Sequence, residues 1–414
     1  MKKRMALILA ASLCAGVLGV CPAVHAADGG TITFYGFSDW MDTEPYKAAY
    51  EAAKAQFETE NPGWTVELQS DPWGDWETKY TTMFAAGDAA DVFMVNNPDL
   101  ATFANSGNLL ALDSYLEDGY LDDFFQGVLG MYIWQGDTVA IPFTTDCRIL
   151  WYNKEIFEAA GLDPEKAPTT WEELAAYAVQ IAENTDAYGF GMDLGLTEFP
   201  TQGLYCASGS YIINVADDGT ITPNVDTPEF RAYLETLIAM RDTYEPDYPV
   251  LTQHDVAQLY AEGQIGMIIG NTLDETDILS KDWYAQALIP SYDGSTNGSY
   301  GGGFGISVSN SCENPEMAVK FAQILCSAEY CADEISDIPA SNAGIQECDR
   351  AADPVYATYM DQIQYARQAQ PKTLFYSEID TAVNEVVAKV LIDDMDVDSA
   401  VSELAETITE IVSE

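Results

Sequence analysis

Residues 141–157 read Ile141-Pro-Phe-Thr-Thr-Asp-Cys-Arg-Ile-Leu-Trp-Tyr-Asn-Lys-Glu-Ile-Phe157, and this stretch decides the architecture. A short extended run from Thr138 to Phe143 leads to a carboxylate, Asp146. A second extended run, Arg148 to Tyr152, follows at once, and Asn153 then heads a helix. Pro142 fixes one backbone torsion and donates no hydrogen bond, so it suits the exit from a sheet better than its centre. A chain that leaves one sheet and enters another within about four residues is an interdomain crossing. An acid on such a crossing faces whatever the two domains close upon.

Upstream, strands and helices alternate. Thr31 to Phe37 reads as a buried strand, and Glu44 to Phe57 as a helix with Tyr46, Ala49, Tyr50, Ala53 and Phe57 on one face. Asn61-Pro62-Gly63 stops it. Trp64 to Leu68 is a second strand, Asp75 to Ala86 a second helix closed by Gly87, Asp91 to Val95 a third strand, and Pro98 to Asn105 a helix closed by Gly107. This alternation implies a parallel, doubly wound α/β sheet.

Downstream, helices come quickly. Thr170 opens one with Glu173 placed for a capping box. Tyr188 to Leu194 reads as a strand, Tyr211 to Ile221 as a hairpin turning at Asp217-Asp218-Gly219, and Ile265 to Gly270 as a buried strand. Helices are expected over Pro228 to Arg241 and Asp255 to Gly263, and strands over Ala287 to Pro290 and Phe304 to Val308 around a Gly-rich segment. From Asn314 the chain is largely helical. No repeat or Pro-rich linker is present, so two lobes must be joined by short crossings rather than a tether.

Lys2, Lys3 and Arg4 precede an apolar run from Met5 to Val20, and Val24-His25-Ala26 supplies a cleavage site, so residues 1–26 are expected to be a secretory signal peptide. Cys14 and Cys21 follow the bulky Leu13 and Val20, which favours a free exported protein over a lipid-anchored one. Removing 26 of 414 residues leaves 388, enough for two full cores. Losing three cations takes the formal charge from −50 to −53, with 14 of the 17 basic residues left and none clustered. Nucleic acid and anionic lipid are therefore excluded as partners. A solvated acidic coat is the simpler meaning of this charge, and attraction of a cationic ligand the sharper one. Six cysteines remain, Cys147, Cys206, Cys312, Cys326, Cys331 and Cys348, and their pairing is left open.

In a parallel sheet, ligands bind beyond the carboxyl ends of the strands. The first three strands end in Ser38-Asp39-Trp40, Ser70-Asp71-Pro72-Trp73 and Asn96-Asn97-Pro98. Two indoles, several acids and two amides suit a sugar, whose C–H faces stack on rings while its hydroxyls pair with carboxylates and amides. Any one of these tryptophans by itself fits core packing; the set at matching strand ends points to a site. Asp146 adds an acceptor from the cleft floor.

The segment Asn297 to Gly305 is not a phosphate loop, because no Lys-Ser or Lys-Thr follows and a strand comes next; its glycines permit positive φ and close backbone approach. Asp394-Met-Asp396-Val-Asp398 lacks the Gly and Glu of a calcium loop and reads as an acidic turn capping the last helix. The lone histidine after residue 26, His254, excludes multi-histidine zinc sites and reads as a helix-start surface residue. No metal and no cofactor is expected. Among 67 acids no pair is singled out for glycoside hydrolysis, which weighs against an enzyme.

With these residues in hand, the chain resembles the family 1 extracellular solute-binding proteins of ABC importers, the sugar-binding branch. The carrying segments are Gly87 to Asn97, Ser106 to Asp113, Pro142 to Gly161, Thr170 to Leu174, Gly301 to Val308, Asn314 to Phe321 and Ile338 to Ser341. The resemblance implies a two-lobe periplasmic-binding-protein-like fold, hinged through about three crossings, each lobe with a doubly wound sheet. It implies an N-terminal lobe of residues 27–141 plus about 305–345 and a C-terminal lobe of 142–304 plus about 346–414. Its ligand-binding positions fall on Trp40, Trp73, Asn97, Asp146, Tyr205, Asn271, Gly302 and Gly303. One departure is Asn271-Thr-Leu273, where family members often carry a Trp. The implied protein is an exported monomer, at the cell surface or in the periplasm, that delivers a sugar or oligosaccharide to ABC permease subunits. A receptor for a cationic solute such as a polyamine, and a secreted glycoside hydrolase, are the alternatives.

Overall fold

The computed structural model describes residues 29–413 apart from 45, 73–75, 97–99, 195–199, 217–218, 271–277, 296–297, 332–337 and 353–355. The expected signal peptide and the Asp217-Asp218 turn lie outside the described residues.

Strand β1, Thr31–Phe37, carries the period of two that organises the first core. Phe34 points to one face, against Tyr50 (ring centroids 5.9 Å) and Phe321 (5.8 Å), whereas Tyr35 points to the other, against Tyr80 at 5.4 Å. Each face is covered by helices. Tyr46–Glu60, burying Tyr50, Ala53 and Phe57, packs with Pro315–Leu325 on the first, and Trp76–Ala86 with Leu100–Asn105 on the second. β2 is Thr65–Asp71 and β3 Val92–Asn96. A hairpin of β4 (Ile133–Trp134) and β5 (Asp137–Thr138) leads to β6 (Ile141–Pro142), β7 (Thr144–Thr145) and β8 (Ile149–Asn153). Asn153 caps the next helix, Lys154–Ala160, by accepting from the Ile156 N–H at 3.1 Å, and Gly161 ends it with φ 79°.

The remaining strands are β9 (Ile213–Val215) and β10 (Ile221–Pro223), which form the expected hairpin, then β11 (Met267–Gly270), β12 (Tyr284–Ala287), β13 (Ser299–Tyr300), β14 (Phe304–Val308), β15 (Ile338–Pro339) and β16 (Ala366–Arg367). The first sheet has the order β2-β1-β3-β14-β6, with β1, β2 and β3 parallel and β14 antiparallel to both its neighbours. The second sheet has the order β11-β8-β12 and is antiparallel throughout. Here the expectation of a second doubly wound sheet is corrected. Both β11 and β12 run back toward the point where β8 enters, Gly270 pairing with Ile149 and Ala287 with Leu150, so the chain returns to the crossing instead of away from it. The expected strand from Tyr188 survives as a short parallel bridge to Ile265.

Apolar side chains gather into one cluster around the first sheet, from residues 32–143 and 304–340, and a second from 150–300 and 369–408. The second is built from the helices Trp171–Asn184, Pro228–Met240, Tyr376–Ile392 and Val397–Ile411. A third joins Cys147, Ile149 and Trp151 to Ile338, Tyr359 and Ile363 at the crossing. Thr170 accepts from the Glu173 N–H as expected, yet the Glu173 carboxylate binds the N–H and hydroxyl of Thr169, one residue early for a closed box. Asp396 caps the last helix through the Ser399 N–H, as read from the sequence. Among the described residues all six cysteines are thiols, five of them buried, and burial pushes the Cys206 thiol up to about 12.

Candidate functional site

Five points of the first sheet converge on one edge, and register dictates it. β1, β2 and β3 all end there, Phe37 lying opposite Asp71. β14 starts there, Phe304 opposite Asn96, so Gly302 and Gly303 arrive at the same edge. β6 is antiparallel to β14, which brings Asp146 to it as well. Trp40 follows β1 through the turn Ser38–Met41 and is half-buried, its ring 5.1 Å from Phe304 and 5.8 Å from Phe37. Asp71 accepts from the Tyr35 hydroxyl at 2.5 Å and pairs with Lys79 at 2.7 Å. The Lys79 ammonium first and the Tyr35 hydroxyl second hold its carboxyl below the usual carboxylate range. Ser70 donates to Asp42 at 3.0 Å beside it.

The crossing has a different chemistry. Asp146 is only 7% exposed and both its oxygens are held by protein. Oδ1 accepts from the Gly302 N–H at 2.6 Å, and Oδ2 accepts from Arg148 Nη1 at 2.6 Å. The Arg148 guanidinium lies over the Tyr300 ring, 4.9 Å from its centroid. Ser299 accepts from the Arg148 N–H at 2.8 Å and donates back to the Arg148 carbonyl at 2.7 Å. β7 pairs with β15, Thr145 with Ile338, so a third segment is stitched to the other two. The free acceptor expected at Asp146 is thus a brace between two segments. Arg148, absent from the sequence-based set, was findable: in an extended run residues two apart share a side, which sets Asp146 and Arg148 together.

The glycines are explained by the same braces. A Cβ on Gly302 would sit 2.7 Å from Asp146 Oδ1, and Gly303, at φ 115°, would drive one to 2.3 Å from the Thr144 carbonyl oxygen. Tyr205, expected in the cleft, is 1% exposed and packs in the second core against Phe230 (5.5 Å) and Tyr233 (5.4 Å). Burial raises its phenol to about 12. Trp73, Asn97 and Asn271 lie outside the described residues. Among the described residues no three His, Cys, Asp or Glu side chains stand together in a way that could hold a metal ion. No helix among them is long and apolar enough to cross a membrane.

Residues 42–330 match the model of the bacterial extracellular solute-binding protein family. A binding protein of Brucella abortus (strain 2308) is 29% identical over 330 residues, 77% of each chain. The sn-glycerol-3-phosphate-binding periplasmic protein UgpB of Escherichia coli O6:K15:H31 is 30% identical over 164 residues, 37% of each. Among solved structures, the sugar-binding protein MalE of Xanthomonas citri superposes with a TM-score of 0.80 at 22% identity, covering 93% of this chain and 98% of that one. The cyclic α-maltosyl-1,6-maltose binding protein of Arthrobacter globiformis gives 0.77 at 19%, covering 93% and 99%. These likenesses fix the fold as the two-lobed one of the periplasmic binding proteins. With its match over residues 42–330, the chain belongs to the bacterial extracellular solute-binding proteins.

Proposed function

We propose that this protein is the exported receptor of an ABC importer, that it binds a sugar or oligosaccharide between its two lobes, and that it passes the ligand to membrane permease subunits. The observation that carries this reading is the shared edge of the first sheet, where the half-exposed indole of Trp40 stands beside the carboxylates of Asp71 and Asp42. A ring face for C–H groups next to acceptors for hydroxyls is what a neutral polyol needs. Trp73, Asn97 and Asn271 are proposed to complete the site. Gly302, Gly303 and Asp146 set the position of the edge rather than the affinity, and Tyr205 supports the opposite wall from within its core. The acids at the edge disfavour a phosphate ester, although UgpB is named for one. They would suit a polyamine, so a cationic solute is the second reading.

The two large apolar clusters support lobes of residues 27–141 with about 305–345, and 142–304 with about 346–414. Closure follows from contacts present only when both lobes touch the ligand, a shift of population toward the closed state. The receptor is proposed to act as a monomer and without catalysis. A thermal-shift panel of neutral mono- and oligosaccharides, polyamines and glycerol phosphates tests this. Stabilisation by a neutral glycan is expected; stabilisation by polyamines alone overturns the sugar reading, and release of reducing sugar overturns the non-catalytic one.

A further inference from the structure

A cavity of about 410 Å3, with none of the strand-edge residues in its lining, lies between elements of both large clusters. From the side of the first core comes the β4–β5 hairpin with Ile133 and Trp134, the latter packed on that core. From the second come the β9–β10 hairpin, with Val215 and Ile221, and the segment 372–375, with Lys372 and Phe375; Ile221 and Phe375 pack on the second core.

Two observations mark this cavity as a site. First, its rim gathers large apolar side chains left in water: Ile133 is 36% exposed, and Val215 and Leu374 are each 40% exposed. Second, Lys372 lines it with an amine that is shut away from solvent and has no hydrogen-bond partner. Its Nζ lies 5.6 Å from the centroid of the Tyr132 ring. In a chain with 67 acidic residues, no Asp or Glu among the described residues lines the cavity. A buried ammonium without a counter-ion is unstable, and burial accordingly lowers this amine from the ordinary lysine value to about 7. The long helix Tyr376–Ile392 also begins on Phe375, with no side chain capping its positive end.

We propose that this cavity is a second ligand site, taking a small organic monocarboxylate whose apolar body lies between the two hairpins and whose carboxylate pairs with Lys372. Among the described residues no anion lines the cavity; the ligand's carboxylate supplies one, and its body covers the exposed rim. Because the walls come from both clusters, an occupant bridges the two lobes at a place whose lining includes neither Trp40 nor Asp71. It therefore biases their opening without touching the polar edge.

The test uses the full chain, with octanoate and phenylacetate as probes and octylamine and phenethylamine as cationic counterparts of matched body. Binding is followed by calorimetry and by Trp134 fluorescence at pH 7. Saturable binding of the carboxylates is expected, with the amines silent. Lys372→Met keeps the stem and removes the charge, and should weaken carboxylate binding about tenfold or more. Val215→Trp, placed on the exposed rim, should fill the cavity and block it if Lys372→Met fails to fold. Carboxylates that never saturate, that bind Lys372→Met or the blocked variant as tightly as the parent, or that are matched by the amines, overturn the proposal.

Discussion

The strand edge and the crossing meet at one end of the first sheet, yet they treat charge in opposite ways. At the edge, Asp71 and Lys79 pair with their side chains 33% and 46% exposed, so water shares their solvation and competes for them. At the crossing, the side chains of Asp146 and Arg148 are 9% and 4% exposed, and the carboxylate is held by the Gly302 N–H and by the guanidinium. A buried pair of this kind contributes little net stability over a well-packed apolar pair, but removing one partner strands a charge. The edge is built to exchange partners and the crossing to keep them.

Asp146→Ala is the hardest way to break that contrast. It takes away the carboxylate that the buried Arg148 guanidinium and the Gly302 N–H both bind, for an expected loss of about 3–5 kcal/mol in denaturant unfolding. The double variant Asp146→Leu with Arg148→Met should recover most of this, and a double variant as unstable as the single one would mean that the pair does more than compensate its own burial. Gly303→Ala comes next, at about 2–4 kcal/mol, because it adds strain at φ 115° and a Cβ 2.3 Å from the Thr144 carbonyl oxygen. At the edge the readout moves from stability to affinity. Trp40→Ala should weaken the ligand found in the panel by about 1–3 kcal/mol while the chain stays folded. Unchanged affinity would return Trp40 to a packing role against Phe304.

The smallest effect is Asp71 in acid. Its carboxyl lies lower in the folded chain than in the unfolded one, so its contribution is complete above the unfolded value near 3.8 and is lost as pH falls through the lower folded value. Asp71→Asn should remove under about 1 kcal/mol of acid sensitivity in this window, because the pair is partly exposed. A larger change would mean the edge carries fold stability as the crossing does.

The first sheet was legible because its signals are local. Period-two alternation in Thr31–Phe37, the Asn61-Pro-Gly stop and the Asn153 cap each act within a few residues, and the observed strand and cap fall where the pattern puts them. The crossing was legible for the same reason, through Pro142. The roles on it were not. Whether Asp146 meets a ligand or an arginine depends on Gly302, 156 residues away in sequence. No pattern of spacing reports such a contact. Tyr205 misled in the same way, since a tyrosine near a helix end reads alike whether it faces a cleft or Phe230. The antiparallel second sheet was hidden because helical segments separate its strands and conceal their direction. Lys372 drew no notice in sequence, as one lysine in a polar stretch; only its burial singles it out.

Strand β14 has a consequence for how the molecule assembles. It lies between β3 and β6, but in sequence it follows all three strands of the second sheet. Until residues 304–308 have been made, β3 has a bare edge and β6 has no neighbour in that sheet. The first lobe therefore cannot finish before most of the second has been synthesised, and the pairing that completes it spans about 200 residues of chain. Non-local pairings of this length are slow to form. A nascent chain therefore carries its first sheet open until β14 arrives to close it.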